Sequence, residues 1–200
     1  MKKSQATEIG PVTFPEFTAE RIYMVPFLQR DGLPEHLQRW QPTVDAMMDG
    51  IETGEPVFIM IDQSIMKAGN TQRRPGVHID GIWISDDWDV ETGWKTDPGN
   101  IQKMGTHDTG RHQTTPPKEP RKPQSIILAS NVEGCAAYAG DWDGEIGEGG
   151  DASRLDLSRL QKRILNPFTA FSGDAMTLLH ESIPVKHACQ RTLVRLNVTH

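Results

Sequence analysis

Cysteine is scarce in this chain, whose 200 residues include only Cys135 and Cys189. The two lie far apart and neither belongs to a Cys-x-x-Cys pair, which excludes a disulfide framework and a cysteine-based zinc cluster. A single disulfide between them stays open as an alternative. This cysteine usage is typical of a reducing compartment, so we expect a cytoplasmic protein.

Long apolar runs are missing as well. No stretch approaches the roughly 18 consecutive apolar residues of a membrane span, and no early apolar run has the length of a signal peptide. Basic residues are outnumbered, with 21 Lys and Arg against 27 Asp and Glu and a formal net charge of −6. This charge argues against a nucleic-acid partner, although a local basic groove stays open. We expect no membrane partner, and the composition indicates no particular oligomeric state.

Glycine and proline are plentiful, at 18 and 14 residues. They separate short apolar segments with little helix between them, a pattern that favours an antiparallel β-sandwich or barrel over alternating strands and helices. The segments predicted as strands are 21–28, 57–65, 77–84, 125–130, 135–138, 175–180 and 192–198. A chain of this length fits one domain with an adequate core. We predict a mainly β single domain spanning 1–200, and the jelly roll is one such architecture.

Helical periodicity is confined to two segments. Apolar residues recur every three or four positions in 35–51 and, more briefly, in 153–165 before Pro167. We therefore predict one or two supporting helices. Residues 1–55 are expected to form a strand and a helix that support a jelly-roll core formed by 56–200.

Two polar stretches are predicted to be loops. Residues 86–123 are rich in proline, and a loop of that length is either disordered or a functional lid. His107 and His112 fall in this stretch and are expected at the surface, with a lid residue that reaches a substrate as the open alternative. Residues 141–151 are acidic and glycine-rich, but Ile146 stands where a calcium-binding EF-hand requires glycine, so we expect a solvated loop.

The residues that carry chemistry lie in two distant groups. His78 and Asp80 are two positions apart, and on a strand such residues point to the same face. His180 follows a predicted strand, and His187 is a weaker alternative that is expected to be exposed. Two imidazoles and one carboxylate, with further positions left open, are the ligands of non-haem iron(II) oxygenases. We therefore predict that His78, Asp80 and His180 form a metal site and the catalytic centre.

This pattern resembles the iron(II) and 2-oxoglutarate-dependent dioxygenase superfamily. That family has a His-x-Asp/Glu pair, a long interval, a distal histidine and then an arginine, and these positions fall here on His78, Asp80, His180 and Arg191. The segment 180–184, which reads His-Glu-Ser-Ile-Pro, is similar to the distal histidine segment of prolyl-hydroxylase-like members.

The resemblance implies a double-stranded β-helix, the jelly roll of that superfamily, with Fe(II) and the cosubstrate 2-oxoglutarate in its open mouth. It implies an oxygenase that hydroxylates or demethylates an unidentified substrate. Arg191 would bind the distal carboxylate of 2-oxoglutarate, and Arg195, on the same face of the strand, is the alternative. Tyr138 is a further candidate contact for that carboxylate. The chain departs from the family at Leu193, where members often carry a hydroxyl residue.

Two other interpretations stay open. The chain can be a non-catalytic jelly-roll structural or binding protein whose metal site is vestigial or structural. It can also be a cupin-type metalloenzyme that does not use 2-oxoglutarate. Cupins favour His-x-His clusters, and this sequence has none.

Overall fold

The chain is mainly β, as predicted. The computed structural model describes residues 1–86, 88–89, 93–94, 110–115 and 122–200, with 88–89 and 93–94 described by their backbone alone. The strands are β1 Lys2–Ser4, β2 Thr7–Pro11, β3 Arg21–Leu28, β4 Pro56–Met66, β5 Ile82–Ser85, β6 Trp88–Asp89, β7 Gly93–Trp94, β8 Gly110–Gln113, β9 Gln124–Ser130, β10 Cys135–Trp142, β11 Gln161–Ile164, β12 Thr169–Asp174, β13 His180–Ser182 and β14 Cys189–Thr199. Among these residues no helix has the length and apolar character needed to cross a membrane.

Six strands form the larger sheet, in the spatial order β2-β12-β9-β14-β4-β3, and all neighbours are antiparallel. The last strand, β14, lies between β9 and β4 in the middle of this sheet. Alternate side chains of a strand point to opposite faces. Val194 and Leu196 belong to an apolar cluster on one face, whereas Leu193 and Arg195 line a cavity on the other. The pleat of β14 thus directs Arg195 toward the candidate site.

The α-helix α1 (Gln41–Met47) covers the face opposite that cavity. It continues directly from a 3-10 helix, Glu35–Trp40, whose buried Trp40 joins the apolar cluster of the sheet. The helix predicted at 35–51 is therefore present over a shorter span. Pro42 explains the change of geometry, because it lacks the N–H that would continue α-helical hydrogen bonding back into the preceding turn.

The smaller sheet is centred on β10, which pairs with β1, β11 and β13. One buried apolar cluster joins the two sheets. Ala137 of β10 shares it with Ile126 and Leu128 of β9 and with Phe171 of β12. The two sheets therefore have a common core, and the short strand β13 brings His180 beside β10.

The second predicted helix, 153–165, is wrong. This segment forms turns followed by β11, which pairs with β10. The carboxylates of Asp151 and Asp156 accept hydrogen bonds from the backbone N–H groups of Ser153 and Ser158, both at 3.0 Å. Such local bonds favour turns over a helix because they satisfy the backbone within a few residues.

Two predicted strands are also displaced. The strand predicted at 175–180 is wrong, because β12 ends at Asp174 and a turn follows, in which Asp174 accepts a 2.9 Å hydrogen bond from the Met176 N–H. Strand geometry resumes only in β13. The strand predicted at 77–84 is found as β5, while His78 makes isolated bridges outside it.

The predicted loop 86–123 contains a strand. Its residues 110–113 form β8, which pairs with β5 in a two-stranded sheet and places Trp83 opposite His112. Two further short strands, β6 and β7, also pair with each other. Residues 87, 90–92, 95–109 and 116–121 lie outside the described residues, and His107 is among them.

Candidate metal centre

The His78 segment is held between two other parts of the chain. His78 and His180 exchange backbone hydrogen bonds, from the His78 N–H to the His180 carbonyl at 2.9 Å and in reverse at 3.0 Å. On another side the Ile79 N–H donates to the Gly150 carbonyl at 3.0 Å. The ring centroids of the two histidines consequently lie 4.5 Å apart. Backbone pairing therefore brings the early motif and the distal histidine together.

Gly150 permits this close approach. Its φ of +84° lies in the left-handed region that favours glycine, and a Cβ at this position would overlap the carbonyl oxygen of Ile79. The composition predicts a solvated loop for 141–151, and that prediction is wrong at Gly150, which is buried. The glycines here let the backbone pack directly on the His-x-Asp motif.

The three predicted ligands converge. One ligand atom each from His78, Asp80 and His180 can be chosen so that all lie within 4.8 Å of one another, and His180 Nε2 is 3.7 Å from Asp80 Oδ1. His78 Nδ1 lies 2.8 Å from the Gly76 carbonyl oxygen and His180 Nδ1 lies 3.2 Å from that of Leu178. Because a carbonyl only accepts, the neutral form of each imidazole has its proton on Nδ1 and a lone pair on Nε2 that can bind a cation.

The protonation states of the motif suit a divalent cation. Burial and the neighbouring His180 lower the pKa of His78 to about 4, so its imidazole is neutral near pH 7. Burial alone would raise the pKa of Asp80, but the charges of Arg195 and of the neighbouring histidines outweigh it and hold that pKa well below its usual range. A neutral imidazole and an ionised carboxylate are the forms that bind metals.

Arg195 contacts the carboxylate of Asp80 directly. Its Nη1 donates to Asp80 Oδ2 at 2.7 Å, and both side chains are nearly buried. Its Nη2 contacts Met24 Sδ at 3.3 Å and His112 Nε2 at 3.1 Å. Its Nε has no hydrogen-bond partner among the described residues. Of the two arginines considered from the sequence, Arg195 is the one that lines the cavity around the triad.

His112 is a site residue for which the sequence offers a lid position only as the weaker alternative. It is expected at the surface, yet it lines the same cavity and packs edge-on against Trp83, with ring centroids 4.8 Å apart. Burial and then the charge of Arg195 lower the pKa of His112 to about 4. No local pattern could have placed it, because the polar stretch 110–113 carries no apolar alternation that would reveal a strand.

Arg191 is fully buried and does not contribute to the lining of that cavity. Its Nε lies 3.3 Å from Ser130 Oγ and its Nη2 lies 3.2 Å from Cys135 Sγ. Its Nη1 has no hydrogen-bond partner within the described part of the chain. Burial raises the pKa of the Cys135 thiol despite the nearby guanidinium, so the cysteine supplies no negative charge. Arg191 is thus a buried cation without a described carboxylate partner.

Tyr138 is directed toward a different carboxylate. Its hydroxyl donates to Glu181 Oε1 at 2.7 Å, and Lys162 Nζ lies 2.6 Å from the same oxygen. Burial opposes ionisation of Glu181, but its hydrogen bonds to Lys162 and Tyr138 prevail and lower its pKa. Glu181 lines the cavity and Tyr138 does not. His187 is exposed, as expected.

The triad opens into a cavity of about 240 Å³. Besides the triad and His112, its polar lining includes Tyr23, Arg73, Arg74, Glu181, Ser182 and Arg195. Arginine side chains therefore surround a centre of two imidazoles and one carboxylate. Such a cavity can hold a cation and a small anionic molecule next to each other.

Comparisons of the chain with known protein families, with curated proteins and with solved structures found no match. The functional interpretation therefore rests on the side chains described above.

Proposed function

We propose that this protein is a non-haem iron(II), 2-oxoglutarate-dependent oxygenase that hydroxylates or demethylates a small-molecule or peptidyl substrate. The observation that carries the proposal is the convergence of His78, Asp80 and His180 on one point of a cavity. Two imidazoles and a carboxylate on one side of an iron leave the remaining positions open, as oxygen chemistry requires.

The donor set fits Fe(II). Each histidine has its Nδ1 proton committed to a backbone carbonyl, which fixes the ring and leaves Nε2 to the metal. Dioxygen would be the oxidant, which bound iron would activate: 2-oxoglutarate would give up two electrons as it becomes succinate and carbon dioxide, and the substrate would supply the other two as it gains an oxygen atom. The chain itself holds the reactants in position and limits the access of water.

The distal carboxylate of the cosubstrate needs a cationic partner, and arginines line the cavity. Arg195 is the favoured partner of the pair considered from the sequence, since Arg191 is outside the lining. Arg73 and Arg74 lie in the same lining and add positive charge. This arrangement favours an anionic cosubstrate bound beside Asp80.

We further propose that the β architecture is a jelly roll of the double-stranded β-helix type. The shared core between a six-stranded and a smaller antiparallel sheet supports it, as does a metal-ligand triad placed where the two sheets meet a cavity. In this arrangement β14 contributes Arg195 from the larger sheet, and β13 contributes His180 from the smaller one.

The test is anaerobic addition of Fe(II) and 2-oxoglutarate to the purified protein. A weak visible metal-to-ligand charge-transfer band should appear, and succinate should form once oxygen and a suitable substrate are admitted. His180→Ala should abolish the band. His187→Ala is the matched control, because it removes an exposed histidine seven residues away and should keep the band.

Other results would select the alternative functions. A wild-type protein that binds no metal would favour a non-catalytic jelly-roll structural or binding protein. A protein that binds metal but gives no band and no 2-oxoglutarate-dependent stabilisation would favour a metalloenzyme or structural metal site that does not use this cosubstrate.

A further inference from the structure

The two carboxylate oxygens of Asp80 have different surroundings. Oδ1 faces the triad, 3.7 Å from His180 Nε2. Oδ2 accepts a 2.7 Å hydrogen bond from Arg195 Nη1. A carboxylate can bind a cation through one oxygen or through both. A charge-assisted bond from a buried guanidinium competes with a cation for the lone pairs of Oδ2.

The guanidinium of Arg195 is itself held in place. An arginine can only donate, so His112 Nε2, at 3.1 Å from Nη2, must be the acceptor in that contact. The thioether sulfur of Met24 lies 3.3 Å from the same nitrogen. Asp80 thus contacts Nη1 and these two groups contact Nη2, so both terminal nitrogens of the guanidinium are held in place.

The position of Met24 depends on an irregularity in β3. Ile22 pairs with Ile61 and Val25 pairs with Ile59, so two residues of β3 face one residue of β4 in a β-bulge. Met24 has a φ of +53°, in the left-handed backbone region that residues other than glycine rarely adopt. Bulges next to active sites redirect side chains, and this one directs a fully buried Met24 onto Arg195.

We propose that Arg195 is a positioning residue that restricts Asp80 to metal coordination through Oδ1 alone. The inference rests on the proposed function for the identity of the metal. Coordination through Oδ1 alone keeps open the metal coordination position that Oδ2 would otherwise occupy. In a six-coordinate centre with a facial triad, about three positions then remain for cosubstrate and oxygen. A bidentate Asp80 would leave one fewer.

The test counts the water molecules bound to Mn(II) in the purified protein, from the broadening of its electron paramagnetic resonance lines in ¹⁷O-labelled water. The wild type should hold about three waters, as a monodentate triad requires. Arg195→Met should lose one of them, because the released Oδ2 then binds the metal. Arg195→Lys keeps a cationic donor and should stay closer to the wild type than Arg195→Met does.

Arg191→Met is the matched control. It removes another buried arginine from the same face of β14, four residues away, without a described contact to Asp80, and should leave the water count unchanged. If Arg195→Met does not fold, Arg195→Leu, which likewise has no hydrogen-bond donor, takes its place and is expected to lose one water.

The outcomes separate the two proposals. The positioning role is overturned if the wild type holds one water fewer than a monodentate triad allows, or if Arg195→Met leaves the number of bound waters unchanged. Either result is compatible with the proposed oxygenase. A wild type that binds no Mn(II) at the triad overturns the proposed function itself.

Discussion

Gly150→Ala should destabilise the fold at the site through two separable effects. A left-handed backbone costs a residue with a side chain about 1–2 kcal/mol, and the φ of Gly150 is +84°. The new Cβ would also overlap the Ile79 carbonyl oxygen, so the segments must separate and the 3.0 Å bond from the Ile79 N–H would be lost, at about 1 kcal/mol. We therefore expect a fall of about 2–3 kcal/mol in the free energy of unfolding of the metal-free protein.

Gly69→Ala provides the matched control for urea unfolding monitored by tryptophan fluorescence. Gly69 has a φ of +81°, but a Cβ there would meet no atom within 4 Å, so only the backbone cost applies. The difference between the two variants isolates the contact with Ile79. Gly150→Ala should also bind Mn(II) more weakly, because Ile79 lies between two ligands. Equal stability losses and an unchanged metal affinity would refute this account of how the motif is held.

Three further predictions concern single groups. Mn(II) at a hundred times its Kd should stabilise the wild type by about 2.7 kcal/mol, which raises Tm by about 5–11 °C. Asp80→Ala should show no such rise, and no rise in the wild type would contradict a metal site. Arg191→Met should leave the free energy of unfolding unchanged or raise it by about 1–4 kcal/mol, because it replaces a buried cation that lacks a described carboxylate partner. A large decrease in that free energy, measured by urea unfolding, would show that Arg191 has a stabilising partner. Tyr138→Phe should lower the free energy of unfolding by about 0.5–1.5 kcal/mol, because it removes the hydrogen bond to Glu181. If calorimetry showed a loss of 2-oxoglutarate affinity instead, Tyr138 would contact the cosubstrate.

The sequence predicts the strands that are buried by long-range pairing better than it predicts the turns. The segment 21–28 is found as β3 with the same limits, and 192–198 lies within β14. Residues 22–28 form a continuous apolar run, the pattern of a strand buried on both faces. In 192–198, Val194, Leu196 and Val198 alternate with polar residues, which is the period-two pattern of a strand with one apolar face. The helix predicted at 153–165 is wrong because the helical spacing of its leucines does not reflect the aspartate side chains, which form local turns by hydrogen bonding to nearby backbone N–H groups.

The same contrast holds at the site. The ligand types predict which three residues converge. The strand predicted for His78 and Asp80 is wrong, because β5 begins only at Ile82 and isolated bridges hold His78 instead. Arg195 and His112 could not be placed from spacing alone. The contact of Arg195 with Asp80 joins β14 to a segment that precedes β5 and lies 115 positions away in the sequence, and the position of His112 depends on the pairing of β8 with β5. Both are properties of the tertiary structure.

A crystal structure of the protein with Mn(II), read from the anomalous signal of the metal, tests the central claim most directly. The account predicts one metal peak about 2.0–2.2 Å from His78 Nε2, His180 Nε2 and Asp80 Oδ1, with Oδ2 still bonded to Arg195. A peak at other side chains, or well-ordered density for the triad without metal at saturating Mn(II), would contradict it.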